Sequence, residues 1–127
     1  MSNQLKRIEI VETVCFDDRR LGAIVDDLGE RAAEQVISAA LDQIADGIDS
    51  ILTAGAEGDA AAVLIHAEAL ARLAWQMGLV SLAGVAVDVG RCAELQDRIS
   101  LSATISRLSR VGAQSLGEIW EGTKVWG

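Results

Sequence analysis

The feature that most constrains the fold of this chain is the recurrence of apolar residues at spacings of three and four. Between Glu57 and Leu82 these spacings predict one amphipathic helix, followed by a glycine turn and the start of a second apolar helix, because such a stripe is the face that an α-helix presents to a core. Asp59 is expected to cap its start, and Gly78 is expected to end it in a left-handed turn. The stripe consists of Val63, His66, Ala67, Leu70, Ala74 and Met77.

The same period predicts further helices on both sides of this segment. Asp17 is expected to cap a short first helix that Gly29 ends, and a long helix is expected from Glu30. Residues 53–58 are predicted to form the next turn, and residues 94–98 the last connection. The predicted inward positions are Leu21, Ile24, Val25 and Leu28; Ala33, Ile37, Ala40, Ile44, Ile48 and Ile51; Leu82, Val85, Ala86, Val89 and Cys92; and Leu101, Ile105, Leu108, Val111, Leu116 and Ile119.

These segments predict an all-α fold with negligible strand content. The sequence has no proline and 50% hydrophobic residues, and it is rich in alanine, all of which favours helices. Four long helices joined by short turns indicate an antiparallel up-down four-helix bundle with a short additional N-terminal helix. Residues 1–15 fit neither helix nor strand period and are assigned to an N-terminal arm, and residues 16–127 to a single domain.

Charge and cysteine content exclude several classes of function. The formal net charge is -8, which argues against nucleic acid or an anionic membrane surface as a partner. Cys15 and Cys92 are isolated and lack the spacing of a zinc or redox motif, so no metal or cofactor is expected. The chain shows no secretion signal and no apolar run of about 20 residues, the length that spans a bilayer. These features predict a cytoplasmic protein.

The order of residues around the central helix carries a family resemblance. An acidic residue opens the helix, a hydrophobic seam follows, and the sequence MGL at 77–79 leads into small and apolar residues. This arrangement, from about Phe16 onward, resembles the histidine-containing phosphotransfer (HPt) domain of bacterial two-component signalling. The resemblance implies that the first helix lies as a lid over one end of the bundle.

The resemblance also places the family's phosphate-handling residues on this chain. The phosphoaccepting histidine stands ten residues before the glycine, with a lysine three and a glycine four residues after it. Those positions hold Glu68, Ala71 and Arg72. The resemblance therefore implies a degenerate member of the family that lacks the phosphoacceptor.

His66 is the only histidine, and three interpretations of it stay open. Two residues correspond to about 200° around a helix, so His66 faces away from position 68. It is interpreted as a partly buried side chain hydrogen-bonded within the bundle, as a shifted phosphoacceptor, or, third, as a metal ligand. Glu68 in turn either pairs with Arg72 at i,i+4 or presents a permanent negative charge where phosphohistidine would stand.

The neighbours of Glu68 on its side of the helix are unusually apolar for a solvated surface. They predict a surface that binds a protein partner or a second copy of the chain, and the alternative is that the N-terminal arm or the first helix covers it. The residues of this predicted partner-binding surface are Leu64, Ile65, Glu68, Ala71, Arg72 and Trp75.

No catalytic constellation can be assembled, so the chain is not expected to be an enzyme. The preferred hypothesis is a non-catalytic HPt-like module that docks a response regulator receiver domain or a sensor kinase. One alternative is active phosphotransfer through His66. Another is a homodimeric helical structural or interaction protein whose seam contains Leu64, Ile65 and Trp75.

Overall fold

The computed structural model of the chain describes the backbone of residues 17–126 and the side chains of residues 17 and 19–119. Within that range the chain forms five α-helices and no β-strand, which confirms the all-helical prediction. None of these helices is both long enough and apolar enough to traverse a membrane. The predicted N-terminal arm, residues 1–15, and Cys15 lie outside the described residues. The helices are α1 (Asp18–Leu28), α2 (Glu30–Ala56), α3 (Ala60–Gln76), α4 (Val80–Glu94) and α5 (Arg98–Trp126).

The short helix α1 begins and ends where the sequence predicts. The Asp17 carboxylate accepts a hydrogen bond from the Arg19 backbone N–H (3.2 Å), the usual role of an N-cap. Gly29 ends the helix with φ of 82°, a value that glycine adopts without a steric penalty. Leu21 is buried as expected, but Leu28 is 50% exposed and is not an inward position. The last turn of α1 therefore lies outside the core.

The long helix α2 buries every position that its period predicts. It also continues to Ala56, so the turn predicted over residues 53–58 is wrong at its start. The connection to α3 consists of residues 57–59 alone. The Asp59 carboxylate accepts a hydrogen bond from the Ala62 backbone N–H (3.0 Å) and so caps α3. The buried residues of α2 are Ala33, Ile37, Ala40, Ile44, Ile48, Ile51 and Ala54.

Helices α2, α3 and α4 all end in the same hydrogen-bonded motif. After α3, the Leu79 N–H donates to the Ala74 carbonyl (2.8 Å), and the Gly78 N–H donates to the Trp75 carbonyl (3.0 Å). This 6→1 and 5→2 pair is the Schellman motif, which needs one residue in the left-handed region. That residue is Gly58 after α2 (φ 73°), Gly78 after α3 (φ 78°) and Gln96 after α4 (φ 56°).

The four longer helices contact one another in a closed order around one core. Helix α2 packs on α3, α3 on α4, α4 on α5 and α5 back on α2, while α1 packs on α2. All of the predicted stripe of α3 is buried except His66, which is half-buried. The largest side chains enclosed in the core are Ile37, Ile44, Ile51, Leu79, Leu82 and Leu108.

Helix α5 contributes one buried polar residue that the apolar pattern did not predict. Ser115 is only 1% exposed, between the expected core positions Val111 and Ile119. Gly112, one turn before it, is also buried, and a Cβ there would lie 2.5 Å from Ile48 Cδ1. Small residues on this part of α5 therefore allow α2 to approach closely.

Candidate functional site

Four exposed side chains form a stripe on the outer surface of α3, which we call the α3 face: Ile65, Glu68, Arg72 and Trp75. Their spacings of three, four and three residues place them on one side of a helix, over a length of about 15 Å at 1.5 Å per residue. Ile65 is 65% exposed and Trp75 is 53% exposed. Two residues of opposite charge, Glu68 and Arg72, thus lie between two large apolar side chains that the described part of the chain leaves open to solvent.

The other two predicted surface residues, Leu64 and Ala71, lie deeper. Both are half-buried and pack against the core cluster. Leu64 meets helix α4 at Gly90, where an added Cβ would lie 3.4 Å from Leu64 Cδ1. These two residues therefore lie between the α3 face and the core. The exposed part of the predicted surface is the α3 face itself.

Glu68 and Arg72 do not neutralise each other within the chain. Both are exposed, and the ion pairs formed within residues 17–119 join Asp17 to Arg19 and Arg20, and Asp88 to Arg107. The ion pair predicted between Glu68 and Arg72 is therefore not formed. Exposed i,i+4 pairs contribute only a few tenths of a kcal/mol, so solvation of both groups competes easily with their pairing.

Helix α1 covers one end of the α3 face. The Arg20 guanidinium lies over the Trp75 ring, 5.8 Å from its centroid, within the range of a cation–π contact. The Asp17 backbone N–H donates to the Gly78 carbonyl (2.7 Å), which fixes the start of α1 beside the turn after α3. Coverage by the first helix is thus limited to the Trp75 end, and Ile65 stays exposed.

His66 lies in a separate cleft between α2 and α3. It is half-buried, as predicted, and the cleft is also lined by the carboxylate residues Asp46, Asp49 and Glu57. No hydrogen bond to its imidazole is formed within the described part of the chain, so the predicted bond within the bundle is missing. Among the described residues there is no group of three or more His, Cys, Asp and Glu side chains placed to hold a metal ion.

Helix α4 carries a second, exposed apolar stripe that was not predicted from the sequence. Val80 is 37% exposed and Val87 is 51% exposed, and Gly84 between them is exposed as well. Their spacing of four and three residues places them on one side of α4, the helix that packs on α3. The signal was present in the sequence as a second apolar stripe on this helix, beside the one that enters the core.

Comparison with solved structures identifies the fold as that of histidine-containing phosphotransfer proteins. One similar structure is that of histidine-containing phosphotransfer protein B (HptB) from Pseudomonas aeruginosa PAO1, with a TM-score of 0.79 and 21% sequence identity. The match covers 86% of this chain and 94% of that chain, and at this identity it shows the fold. No protein-family model matches the sequence, and no curated protein matches it.

Proposed function

We propose that this chain is a non-catalytic, HPt-like binding module of bacterial two-component signalling. In this proposal its four longer helices run up-down-up-down, as in the predicted bundle. In the cytoplasm, it docks the receiver domain of a response regulator, or a sensor kinase, on the α3 face and carries no phosphate. The likeness of the fold to HptB supports the class of pathway, and the α3 face supports the mode of action.

The observation that carries the proposal is the position of Glu68. It is exposed near the middle of the α3 face, at the position where the family resemblance places the phosphoaccepting histidine. A carboxylate there cannot form a phosphohistidine. It presents one permanent negative charge, whereas a phosphoryl group carries more charge and three acceptor oxygens. A partner that docks on this face would therefore meet a weak, unswitchable version of the phosphorylated surface.

Ala71 and Arg72 support a docking mode that differs from that of a phosphotransfer protein. The resemblance expects a lysine and a glycine at these positions. Ala71 is half-buried and has no charge to offer a phosphate, while the long side chain of Arg72 is exposed and fills space that a glycine leaves open. A docking partner would have to accommodate this guanidinium, and a carboxylate on the partner is the natural group to pair with it.

The surroundings of His66 argue against its use as a shifted phosphoacceptor. Phosphoryl transfer needs the accepting nitrogen in line with the donor and stabilisation of the negative charge on the transferred group. The cleft around His66 is lined by Asp46, Asp49 and Glu57, and no lysine or arginine is among its lining residues. Carboxylates there would repel an incoming phosphoryl group.

A phosphotransfer assay tests the absence of relay activity. Wild type and His66→Ala would be incubated with receiver domains charged with radiolabelled acetyl phosphate, beside a competent HPt protein as control. We expect no acid-labile label on either form while the control is labelled. Label on wild type that disappears in His66→Ala would overturn the proposal and establish an active relay protein.

A titration with the unphosphorylated receiver domains of the same genome tests the docking surface. Ile65→Asp places a charge in the apolar part of the α3 face, and we expect it to weaken binding at least about tenfold, as loss of a buried anchor does. Ile99→Asp is the matched control, since Ile99 is 85% exposed and lies on α5, a different helix. Equal effects of the two substitutions would show that the receiver domain docks elsewhere.

A further inference from the structure

We propose that the α3 face binds a second copy of this chain, with the two α3 helices antiparallel across a two-fold axis. This inference goes beyond the proposed function, because it needs no signalling partner. It rests on the order and exposure of the four residues of the α3 face.

The α3 face is arranged so that it complements itself. Ile65 and Trp75 lie five positions on either side of Leu70, and Glu68 and Arg72 lie two positions on either side of it. A two-fold axis at the level of Leu70 therefore sets each residue of the face opposite its counterpart. A symmetric interface requires this reciprocity, because the same patch must serve both copies.

The contacts that this axis creates match in chemistry. Glu68 of one copy meets Arg72 of the second copy, and the reverse pair forms at the same time. Both groups are exposed and are not paired with each other within the chain, so no internal ion pair has to break. A parallel arrangement would set Glu68 against Glu68 and Arg72 against Arg72, which like-charge repulsion disfavours. The charges therefore select the antiparallel arrangement.

The spacing of the face also suits the packing of two helices along their length. Ile65, Glu68, Arg72 and Trp75 are all exposed and follow one another at intervals of three, four and three residues. This is the spacing of the seam of a coiled coil, in which side chains of one helix insert between those of the other. The same spacing on both copies therefore lets the two faces meet along their length.

Trp75 is held in place for such a contact before a second copy arrives. The Arg20 guanidinium lies over its ring, while the residue as a whole keeps 53% of its surface exposed. A large aromatic side chain that is already oriented loses little conformational entropy on binding, and tryptophan is enriched among the residues that dominate interfaces. In the antiparallel arrangement it packs on Ile65 of the second copy.

Charge-reversal variants of the purified chain test the proposal by sedimentation equilibrium, with no partner present. We expect wild type to dimerise at concentrations up to about 100 µM, an affinity in the range of weak specific complexes. Glu68→Arg and Arg72→Glu should each weaken the dimer at least about tenfold, because like charges then face each other. The double variant, in which both charges are exchanged, should restore it.

A mixture of the two single variants gives the most specific test of the antiparallel arrangement. Glu68→Arg carries two positive charges at the centre of the face and Arg72→Glu carries two negative ones, so an equimolar mixture should form a heterodimer where neither variant alone dimerises. Helical circular dichroism of each variant separates loss of the dimer from loss of the fold. A wild type that stays monomeric, or a mixture and a double variant that both stay monomeric while folded, would overturn the proposal. Neither outcome depends on whether a receiver domain binds, so the proposed function is judged separately.

Discussion

Gly78 combines two constraints that no other residue type meets. Its φ of 78° lies in the left-handed region, and a Cβ built on it would lie 2.5 Å from the Asp17 carbonyl oxygen. Gly58 has a similar φ of 73°, but nothing lies within 4 Å of a Cβ there. The two glycines therefore separate the cost of the backbone conformation from the cost of displacing α1.

Alanine at these two positions should destabilise the chain to different extents. Gly58→Ala is expected to cost about 1 kcal/mol for the left-handed conformation alone. Gly78→Ala is expected to cost about 2–4 kcal/mol, because backbone strain adds to the displacement of the start of α1. Urea denaturation of both variants measures the difference. Equal losses would mean that α1 moves away from Gly78 without an energetic penalty.

Asp97 makes stability depend on pH at the start of α5. Its carboxylate accepts hydrogen bonds from the Ser100 backbone N–H (3.1 Å) and from the Ser100 hydroxyl (2.8 Å). These bonds, the backbone one first, hold the pKa of Asp97 below its ordinary value of 3.8. Because the pKa is lowered in the folded state, the stabilisation is present above the unfolded pKa and is lost as the pH falls through the folded one.

Asp97→Ala is therefore expected to lower the melting temperature at neutral pH, and the deficit should shrink as the pH falls from about 7 to about 2. Thermal melts followed by circular dichroism give the difference at each pH. Asp97→Asn serves as the control, because asparagine caps a helix without titrating. A deficit for Asp97→Ala that persists unchanged at the lowest pH would contradict the assigned role of the carboxylate.

The ends of helices α2, α3 and α4 show one motif built with two kinds of residue. Gly58 and Gly78 adopt the left-handed conformation freely, whereas Gln96 adopts it with φ of 56° against the repulsion of its Cβ. Its N–H still donates to the Ala93 carbonyl (3.1 Å), as the motif requires. Helix α4 therefore ends under local strain that the other two helices avoid.

Gln96→Gly is expected to stabilise the chain by about 0.5–1 kcal/mol, since it removes the strain at a small cost in backbone entropy. Gln96 is exposed, so no packing is lost. Gln96→Ala is the matched control: it keeps the Cβ and should bring no comparable gain. Chemical denaturation of both variants checks this expectation, and an equal gain from alanine would assign the effect to the removed side chain.

For the molecule as a whole, the helices could be predicted from the sequence far better than the surface. Each stripe of apolar residues is local information, and the predicted inward positions of α2 are all buried. The ends of the helices were harder to predict. Helix α2 continues to Ala56 because the left-handed turn is made by Gly58 and the cap of the next helix by Asp59. The period of the apolar residues does not show which of several neighbouring residues ends a helix.

The site was less predictable because exposure depends on which helix packs alongside. Leu64 and Ile65 are adjacent and equally apolar, yet α4 covers the first, while the second is 65% exposed. The i,i+4 spacing of Glu68 and Arg72 also did not predict that they stay unpaired, because solvation of two exposed charges competes with their attraction. Positions on the helix were predictable from the sequence, whereas their neighbours required the fold.

The hydrogen bond between the Asp17 N–H and the Gly78 carbonyl has a consequence for the order of folding. The α3–α4 hairpin is joined by a short turn and closes a small loop, whereas this bond joins residues 17 and 78, far apart along the chain. Closing a longer loop costs more chain entropy, and its contacts can form only once the Gly78 turn exists. We therefore expect α1 to dock late in folding and to open first, so the Asp17 amide should exchange its hydrogen faster than the amides in the middle of α3.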